Sequence, residues 1–434
     1  MYVCGPTVYD LSHIGHARTY ISFDIIKRYL EYIGFKVKYI INITDVDDKI
    51  LDRAKKEKIT PGELTTKMIQ KFKKDFLALK NEKPEKMPKV TENVLSIIQF
   101  IEILIKKGFA YEVNGNVYFA VRKFPEYGRL SNNNIEDLVS GVRIEPLQKK
   151  YDPLDFALWK KAKEKESISF DSPWGKGRPG WHIECSAIAN EYLGKTIDIH
   201  GGGNDLIFPH HEDEKAQSEA ANEVPFAKFW IHTGMVTVNG QKMSKSLGNF
   251  ITVKKILQKI TPEALRFHVI KTHYRSPLDF DEGTLEASIK SLTTLKEFAK
   301  RISEARATSG RDSKITEKYE ENFFAALDDD FNTPKALAII FEYIREVNKL
   351  IDLKKLNKDE DKKSRDFLKK IDGIFGLELF SKEQIPDKIR ELLSQRELAR
   401  NKKDWRLADK LRLEVEEEGF EIEDTSRGAK VRRK

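Results

Sequence analysis

The chain has 434 residues, of which 34% are charged and 40% hydrophobic, a balance typical of folded globular proteins and not of disordered ones. Its two cysteines exclude a disulfide-stapled scaffold, and no apolar run approaches the ~20 residues of a membrane-spanning helix. The formal net charge of +8 is compatible with a polyanionic partner but does not identify one.

The first 90 residues alternate between strand-like and helix-like segments. Residues 1–3 favour a strand, residues 20–32 carry apolar side chains at helical spacing, and residues 36–43 form a largely apolar run. Gly34 follows the helical segment, as glycine often does at a helix end. Strand, helix and strand at this spacing predict a βαβ unit, so residues 1–90 are expected to form the first half of a doubly wound, Rossmann-like α/β domain with a parallel sheet.

The middle of the chain combines an insertion with a return to this sheet. A helix is predicted for residues 93–107, and a hairpin is predicted for residues 111–121 with its turn at Asn114-Gly115-Asn116. Residues 122–176 are rich in Lys, Glu, Pro and Gly, so we expect a surface insertion over residues 91–176.

The rest of the chain returns to the sheet and then becomes helical. Residues 196–200 predict a strand that leads through Gly201-Gly202-Gly203 to a helix at residues 211–221. From about residue 285 the pattern is almost wholly helical, and a short linker at 381–386 precedes a last helical segment and a basic end. The expected divisions are the second half of the α/β domain at 177–240, a mixed segment at 241–290, a helical bundle at 291–380 and a small C-terminal domain at 381–434.

A histidine motif, His13-Ile14-Gly15-His16, follows the first strand and precedes the first predicted helix. Two imidazoles at a helix start can donate hydrogen bonds to a polyphosphate, and the backbone N–H groups and the helix dipole favour the same anion. Gly15 allows a ligand to approach the backbone closely. Two ordinary surface histidines are the alternative for these four residues taken alone.

A lysine–serine motif, Lys242-Met243-Ser244-Lys245-Ser246, lies before Leu247-Gly248-Asn249. Lysines and serines on a glycine-flanked loop can stabilise the charge that develops on a leaving pyrophosphate, whereas a solvated basic loop is the alternative. In this order and on opposite halves of the chain, the two motifs resemble the paired motifs of class I aminoacyl-tRNA synthetases.

The two cysteines lie near further candidate metal ligands. Cys4 precedes the histidine motif, and Cys185 ends the stretch Gly180-Trp181-His182-Ile183-Glu184-Cys185. His210 and Glu214 are four residues apart, which places both on one face of a helix. Sulfur, nitrogen and oxygen donors of this kind suit Zn²⁺, whereas two core cysteines and a helix-surface His/Glu pair are the alternative.

The whole pattern resembles the cysteinyl-tRNA synthetase family over essentially the full chain. The stretches that carry the resemblance are Tyr2-Val3-Cys4-Gly5-Pro6-Thr7-Val8-Tyr9-Asp10, Asn42-Ile43-Thr44-Asp45-Val46-Asp47-Asp48-Lys49, Gly177-Arg178-Pro179-Gly180-Trp181-His182-Ile183-Glu184-Cys185 and His200-Gly201-Gly202-Gly203-Asn204-Asp205-Leu206.

This resemblance implies a set of sites. It implies one zinc ion with the ligands Cys4, Cys185, His210 and Glu214. It implies a pocket for substrate cysteine lined by Thr44, Trp181 and His200. It implies binding of ATP, with Mg²⁺, by His13, Gly15, His16, Gly201, Gly202, Asp205, Lys242 and Lys245. Of these, it implies a catalytic role for His13, His16, Lys242 and Lys245.

The resemblance also implies a two-step reaction on tRNA. ATP converts L-cysteine to cysteinyl-adenylate, and the 3′ end of tRNA(Cys) then takes the cysteinyl group, without an enzyme nucleophile. Residues 241–290 would contact the tRNA stem, and residues 381–434 would bind the anticodon. The candidate anticodon contacts are Arg400, Asp409 and Asp424, each of which is otherwise a charge on a solvated helix face.

Two other functions are alternatives to the synthetase. An ATP-dependent cysteine:amine ligase of thiol biosynthesis would keep the zinc and both motifs but would not need residues 381–434, which are present here. A catalytically inactive tRNA-binding paralogue would have lost a motif histidine or lysine, and none is lost. The sequence therefore favours the synthetase.

Three further expectations concern the chain as a whole. Family members usually carry a segment before the Tyr-Val-Cys stretch, so we expect either a naturally short chain or a start assigned at an internal methionine, Met1. No charged segment followed by an apolar stretch opens the sequence, which predicts no signal peptide and a cytoplasmic location. The lack of a long apolar stripe outside the helical third favours a monomer.

Overall fold

The computed structural model describes residues 1–135, 150–164, 166–244, 247–305, 314–381, 387–425 and 428–433. It divides into two compact units, Met1–Leu379 and Phe380–Lys434. The strands, β1 to β13 in chain order, are Tyr2–Val3, Ile40–Ile41, Ala110–Val113, Asn116–Phe119, Phe156–Lys161, Gly177–Pro179, Ile197–Gly203, Ala227–Thr233, Val236–Val238, Gln241–Lys242, Leu278–Phe280, Phe420–Thr425 and Gly428–Arg433. The α-helices, α1 to α14, are Ile14–Tyr32, Asp48–Glu57, Pro61–Ala78, Val94–Lys106, Ile183–Leu193, Glu212–Asn222, Val253–Ile256, Pro262–Ile270, Glu282–Glu304, Ile315–Asp328, Thr333–Asp352, Lys358–Phe375, Asp387–Asn401 and Trp405–Glu417.

Four parallel strands form the central sheet of the first unit, in the order β2-β1-β7-β8. Of the predicted strand 36–43, only Ile40–Ile41 forms a strand in this sheet, and Lys36 and Lys38 before it are exposed to solvent. Tyr2 lies opposite Ile40 on one side and His200 on the other, so the chain order reverses across β1. Doubly wound folds bind ligands at such a reversal, outside the carboxyl ends of the strands. The predicted α/β class with a parallel sheet is confirmed.

The first helix begins earlier than predicted, at Ile14 and not at residue 20. His13 is its N-cap, because the His13 side chain accepts a hydrogen bond from the backbone N–H of Gly15. His16 in turn accepts a hydrogen bond from the backbone N–H of His13. Reciprocal caps of this kind satisfy N–H groups that a helix start leaves unpaired. The histidine motif therefore forms the first turn of α1.

A second sheet is antiparallel and has the order β3-β4-β5-β6. The predicted hairpin is confirmed as β3 and β4, and Asn114 and Gly115 both take positive φ in its two-residue turn. Composition alone indicated a surface insertion, yet Leu158 and Trp159 of β5 are fully buried. They belong to the same hydrophobic cluster as the two cysteines, so this sheet helps to build the core around them.

The remainder of the first unit adds a small sheet and a group of long helices. Strand β9 pairs in parallel with β11 and antiparallel with β10. Helices α9 to α12 confirm the helical pattern predicted from about residue 285. Their core continues onto α1; its central members are Ile14, Ile21, Leu295, Phe323, Tyr343 and Phe367. Among the helices described, none has the length and apolar character needed to span a bilayer.

The second unit packs α13 and α14 with the hairpin β12–β13. Its small core comprises Ile389, Val415, Phe420, Ile422 and Val431. The prediction of a helical segment followed by a basic end was therefore incomplete, because the basic end forms a strand. In this strand Val431 is buried, and the charged residues Lys430 and Arg432 flank it in the sequence. One apolar residue between charges is a weak strand pattern. Residues 382–386 of the predicted linker lie outside the described residues.

Candidate active site

A cavity of about 380 Å³ opens at the carboxyl ends of β1 and β7. This is the place where the strand order reverses and where a ligand is expected. The residues singled out in the sequence that line it are Cys4, His13, Gly15, His16, Trp181, Asp205 and Lys242. Both motifs and one of the two cysteines therefore face the same cavity.

The histidine motif places two imidazole rings side by side in this cavity. The rings of His13 and His16 stack with their centroids 3.8 Å apart. Burial, and then the neighbouring His13, lower the pKa of His16 well below its usual value, so His16 is neutral near pH 7. A Cβ on Gly15 would lie 2.9 Å from the His13 ring, so glycine is needed for this cap. The motif thus holds two oriented rings at a helix N-terminus.

The lysine–serine motif begins on β10, where Lys242 is exposed at the cavity. Lys245 and Ser246 lie outside the described residues. Asn249, which the sequence analysis did not single out, braces the loop from both ends. Its Oδ1 accepts a hydrogen bond from the backbone N–H of Ser244 at 2.8 Å, and its Nδ2 donates to the carbonyl of Lys242 at 3.2 Å.

A direct backbone contact joins the two motifs. The N–H of Ile14 donates to the carbonyl of Ile251 at 3.1 Å, and His13 forms an antiparallel bridge with Thr252. The end of the lysine–serine loop is therefore fixed to the first turn of α1. Spacing in the sequence gave no signal for this contact, because the two segments are far apart along the chain.

Cys4 connects the cavity with a buried cluster that contains Cys185, His210 and Glu214. Cys4 Sγ lies 3.8 Å from Cys185 Sγ and 3.3 Å from Glu214 Oε1. His210 Nε2 lies 3.8 Å from Cys185 Sγ and 3.0 Å from Glu214 Oε1. The structure therefore brings together all four predicted metal ligands.

Donor type, spacing and burial in this cluster all fit a zinc ion. Tetrahedral Zn²⁺ with bonds of ~2.0–2.3 Å holds neighbouring ligand atoms about 3.3–3.8 Å apart, close to the distances given above. Burial, then Cys185 and Glu214, raise the pKa of the Cys4 thiol well above its usual value. Glu214 is fully buried, with Oε1 3.0 Å from His210 Nε2 and Oε2 3.1 Å from His200 Nε2. A buried carboxylate beside two thiols requires a compensating cation.

A second group of candidate ligands overlaps the first, because it combines His200 and His211 with Cys4 and Glu214. His211 Nε2 lies 3.3 Å from Cys4 Sγ, and His200 Nε2 lies 3.7 Å from the same sulfur. His211 was not predicted as a ligand, although its position next to His210 was an available signal. The first group contains both thiols, which zinc prefers as ligands.

The three residues predicted to line a cysteine pocket take different positions. Trp181 is 37% exposed and lines the cavity. Thr44 is buried, and its Oγ1 donates a hydrogen bond to Glu184 Oε2 at 2.7 Å. His200 is fully buried, and its ring stacks on Tyr2. Glu184, which the sequence analysis passed over, therefore fixes the side chain of Thr44.

The glycine stretch belongs to strand β7, and the cavity wall includes its last member, Gly203. A Cβ on Gly201 would lie 2.1 Å from the Phe23 ring. A Cβ on Gly202 would lie 3.1 Å from the His211 ring. Close packing against β7 thus explains both inner glycines, and their contact with ATP stays a prediction.

In the second unit, two of the three predicted anticodon contacts bind each other. Asp424 accepts a hydrogen bond from Arg400 at 2.8 Å and two from Arg396, at 2.9 and 2.8 Å. The bonds from Arg396 lower the pKa of Asp424 below its usual value. Asp409, the third predicted contact, lies on α14. Contact of these residues with an anticodon stays a prediction.

Comparison with known proteins agrees with this geometry. The family described as "tRNA synthetases class I (C) catalytic domain" matches residues 1–290, and the DALR domain matches residues 322–380. The cysteine--tRNA ligase of Caldicellulosiruptor saccharolyticus is 49% identical over 443 residues, which cover 100% of this chain and 95% of that protein. The chain belongs to the cysteine--tRNA ligase family of class I aminoacyl-tRNA synthetases.

Further relatives and solved structures extend the comparison. The cysteine--tRNA ligase of Thermococcus onnurineus is 47% identical over 444 residues, which cover 99% of this chain and 93% of that protein. A Mycobacterium tuberculosis methionyl-tRNA synthetase in complex with methionyl-adenylate matches the fold with a TM-score of 0.64 at 13% identity, over 87% of this chain and 89% of that chain. A putative arginyl-tRNA synthetase from Campylobacter jejuni matches with a TM-score of 0.58 at 16% identity, over 87% of this chain and 92% of that chain. At these identities the structural matches establish the class I fold alone.

Proposed function

We propose that this protein activates L-cysteine with ATP and transfers the cysteinyl group to the 3′ end of tRNA(Cys). A carboxylate oxygen of cysteine attacks the α-phosphate of ATP, and pyrophosphate leaves. A terminal ribose hydroxyl of the tRNA then attacks the carbonyl carbon of cysteinyl-adenylate, and AMP leaves. The observation that carries this proposal is a cavity lined by both motif histidines and by Cys4, which also belongs to the buried cluster of two cysteines, a histidine and a glutamate.

Zinc is the proposed resident metal of that cluster, one ion per chain, held by Cys4, Cys185, His210 and Glu214. When bound, zinc supplies a soft Lewis acid that prefers a thiolate to a hydroxyl. Cysteine and serine differ only in that group, so the cluster is the proposed source of substrate selectivity. A site built to bind one substrate group rejects the analogue that lacks it far better than a hydrophobic pocket does. Thr44, Trp181 and His200 are proposed to complete the cysteine pocket.

The two motif histidines are proposed to hold the phosphates of ATP. In each ring Nδ1 accepts a backbone hydrogen bond. The N–H of Gly15 donates to His13 Nδ1, and the N–H of His13 donates to His16 Nδ1. In its neutral form, a ring with this arrangement carries its proton on Nε2 and can donate it in a hydrogen bond to a phosphate oxygen. Lys242 adds positive charge at the same cavity, and Lys245 is proposed to do so from the same loop. Together they would stabilise the negative charge that develops on pyrophosphate.

The remaining assignments follow from the family. Gly15, Gly201, Gly202 and Asp205 are proposed to contact ATP, which is expected to carry Mg²⁺. The domain divisions given above, including a stem-contact region at 241–290 and an anticodon-binding domain at 381–434, are part of the same proposal. So are the anticodon contacts Arg400, Asp409 and Asp424, a cytoplasmic location and a monomeric state.

Isotope exchange between pyrophosphate and ATP tests the first step. We expect exchange that depends on cysteine and that is about 10⁴-fold weaker, in kcat/KM, with serine. Exchange that does not depend on any amino acid would contradict the proposal. No exchange at all from folded, zinc-loaded protein would also contradict it, and would favour an inactive tRNA-binding paralogue. Equal exchange with cysteine and serine would contradict the proposed role of the cluster.

A further inference from the structure

The second ring nitrogen of His210 faces another histidine and not the metal cluster. His210 Nδ1 lies 2.7 Å from His182 Nδ1, while His210 Nε2 faces Cys185 and Glu214. The other nitrogen of His182, Nε2, lies 3.3 Å from Asp213 Oδ2. Asp213 is buried, and its Oδ1 accepts a hydrogen bond from the hydroxyl of Tyr127 at 2.5 Å. These side chains form a continuous chain that ends at a candidate zinc ligand.

With Asp213 ionised, this chain favours one position for each proton. In its ionised form Asp213 only accepts hydrogen bonds, and its Oδ1 already accepts one from Tyr127. Its Oδ2 faces His182 Nε2 and therefore favours the His182 tautomer that carries its proton on Nε2. His182 Nδ1 then has a lone pair and accepts the proton of His210 Nδ1. The lone pair of His210 is left on Nε2, the atom that lies 3.0 Å from Glu214 Oε1 and 3.8 Å from Cys185 Sγ. That tautomer is the one a metal ion requires.

We infer that His182 is a positioning residue for the zinc site, and that Asp213 and Tyr127 act through it to hold His210 in its metal-binding tautomer and orientation. The inference rests on the zinc site of the proposed function. It gives the insertion a role in that site, because Tyr127 follows β4 and precedes β5. Hydrogen-bonded partners of this kind fix the ring and raise the basicity of a ligating histidine.

In the overlapping group of ligands, His211 also contacts a second histidine, His232. His211 Nδ1 contacts His232 Nε2 at 2.8 Å, but within the described ranges no carboxylate contacts His232. The proton on that pair is therefore not fixed by an anionic acceptor. This difference favours His210 over His211 as the zinc ligand, and it makes His232 a matched control for His182.

Zinc affinity of the full chain, measured by competition with a chromophoric chelator, tests the inference without reference to catalysis. Asparagine places a polar atom near the position of His Nδ1, and glutamine places one near His Nε2. His182→Asn keeps an acceptor for His210 but loses the contact with Asp213, so it should bind zinc more tightly than His182→Gln and less tightly than the unsubstituted chain. His182→Gln should bind zinc about 10–100-fold more weakly than the unsubstituted chain. His182→Phe should lose affinity like the glutamine variant, and His232→Gln should bind zinc as the unsubstituted chain does.

Two results would overturn the inference. One is unchanged zinc affinity in both His182→Gln and His182→Phe. The other is a loss in His232→Gln equal to that in the His182 variants. If His182→Phe does not fold, which circular dichroism would reveal, the asparagine–glutamine comparison still decides. Failure of cysteine-dependent exchange in the unsubstituted protein would instead count against the proposed function, so the two failures remain distinguishable.

Discussion

Cys4 Sγ lies 3.8 Å from Cys185 Sγ, although 181 positions separate the two residues in the sequence. One cysteine directly follows the first strand of the parallel sheet, and the other lies on helix α5. The fold therefore gathers both cysteines of the chain beside His210 and Glu214, and Cys4 also lines the cavity that holds the histidine motif.

Replacing one of these thiols should empty the cluster. Cys185→Ser removes a soft ligand that a hydroxyl replaces poorly, so most of the zinc should be lost from purified protein. Ser186→Ala is the matched control, because Ser186 is equally buried and its hydroxyl donates to the backbone carbonyl of Glu214 and not to a proposed ligand atom. Elemental analysis of both variants gives the result. Full zinc retention in Cys185→Ser would exclude the proposed ligand set.

Removing a motif histidine should affect the chemical step and leave the metal in place. His16→Ala deletes the proposed Nε2 donor to the phosphates, and we expect kcat for pyrophosphate exchange to fall about 10²–10³-fold with zinc content unchanged. His273→Ala serves as control, because the ring of His273 contacts the carbonyl of Asp330. A normal kcat in His16→Ala would refute the assignment.

Asn249 should matter although no motif includes it. Asn249→Ala removes both hydrogen bonds that brace the lysine–serine loop, so the loop would be less well positioned over ATP. We expect pyrophosphate exchange to fall about tenfold in kcat/KM for ATP, with the thermal midpoint almost unchanged. Asn249→Asp keeps the acceptor for Ser244 and loses the donor to Lys242. Its exchange activity should therefore lie between that of the alanine variant and that of the unsubstituted protein. An unaffected alanine variant would show that the brace is dispensable.

Acid should destabilise the first unit partly through His268. Burial lowers the pKa of His268 to about 4, whereas the ordinary value is near 6.5 in the unfolded chain. Because the unfolded state binds this proton more readily, His268 contributes stability above pH ~6.5 that is lost as the pH falls towards 4. The loss reaches about 2 kcal/mol at pH 5. The free energy of unfolding, measured by chemical denaturation, should decrease less between pH 7.5 and pH 5 in His268→Gln than in the unsubstituted protein. An equal decrease in both proteins would contradict this assignment.

Local patterns predicted much of the fold and of the site. The helical spacing of residues 20–32, the Asn-Gly turn and the i, i+4 pair His210 and Glu214 each involve neighbours in the chain, so the sequence alone indicates them. The family resemblance then joined Cys4 and Cys185 to that pair. All four predicted ligands meet in the structure.

Contacts between distant segments could not be predicted in the same way. The Asn249 brace, the backbone contact between Ile14 and Ile251, and the chain from Tyr127 to His210 depend on tertiary packing. The C-terminal hairpin was missed because its buried residues are few and flanked by charges. The buried insertion strand was missed because surrounding Lys, Glu, Pro and Gly dominate the composition.

Charging of tRNA(Cys) with cysteine tests the central claim most directly. With ATP, Mg²⁺ and zinc-loaded protein, we expect labelled cysteine to appear on the 3′ end of tRNA(Cys), and removal of residues 381–434 should reduce charging while cysteine-dependent pyrophosphate exchange continues. Exchange without any charging, together with ATP-dependent coupling of cysteine to a small amine, would contradict the claim and identify the chain as a cysteine:amine ligase.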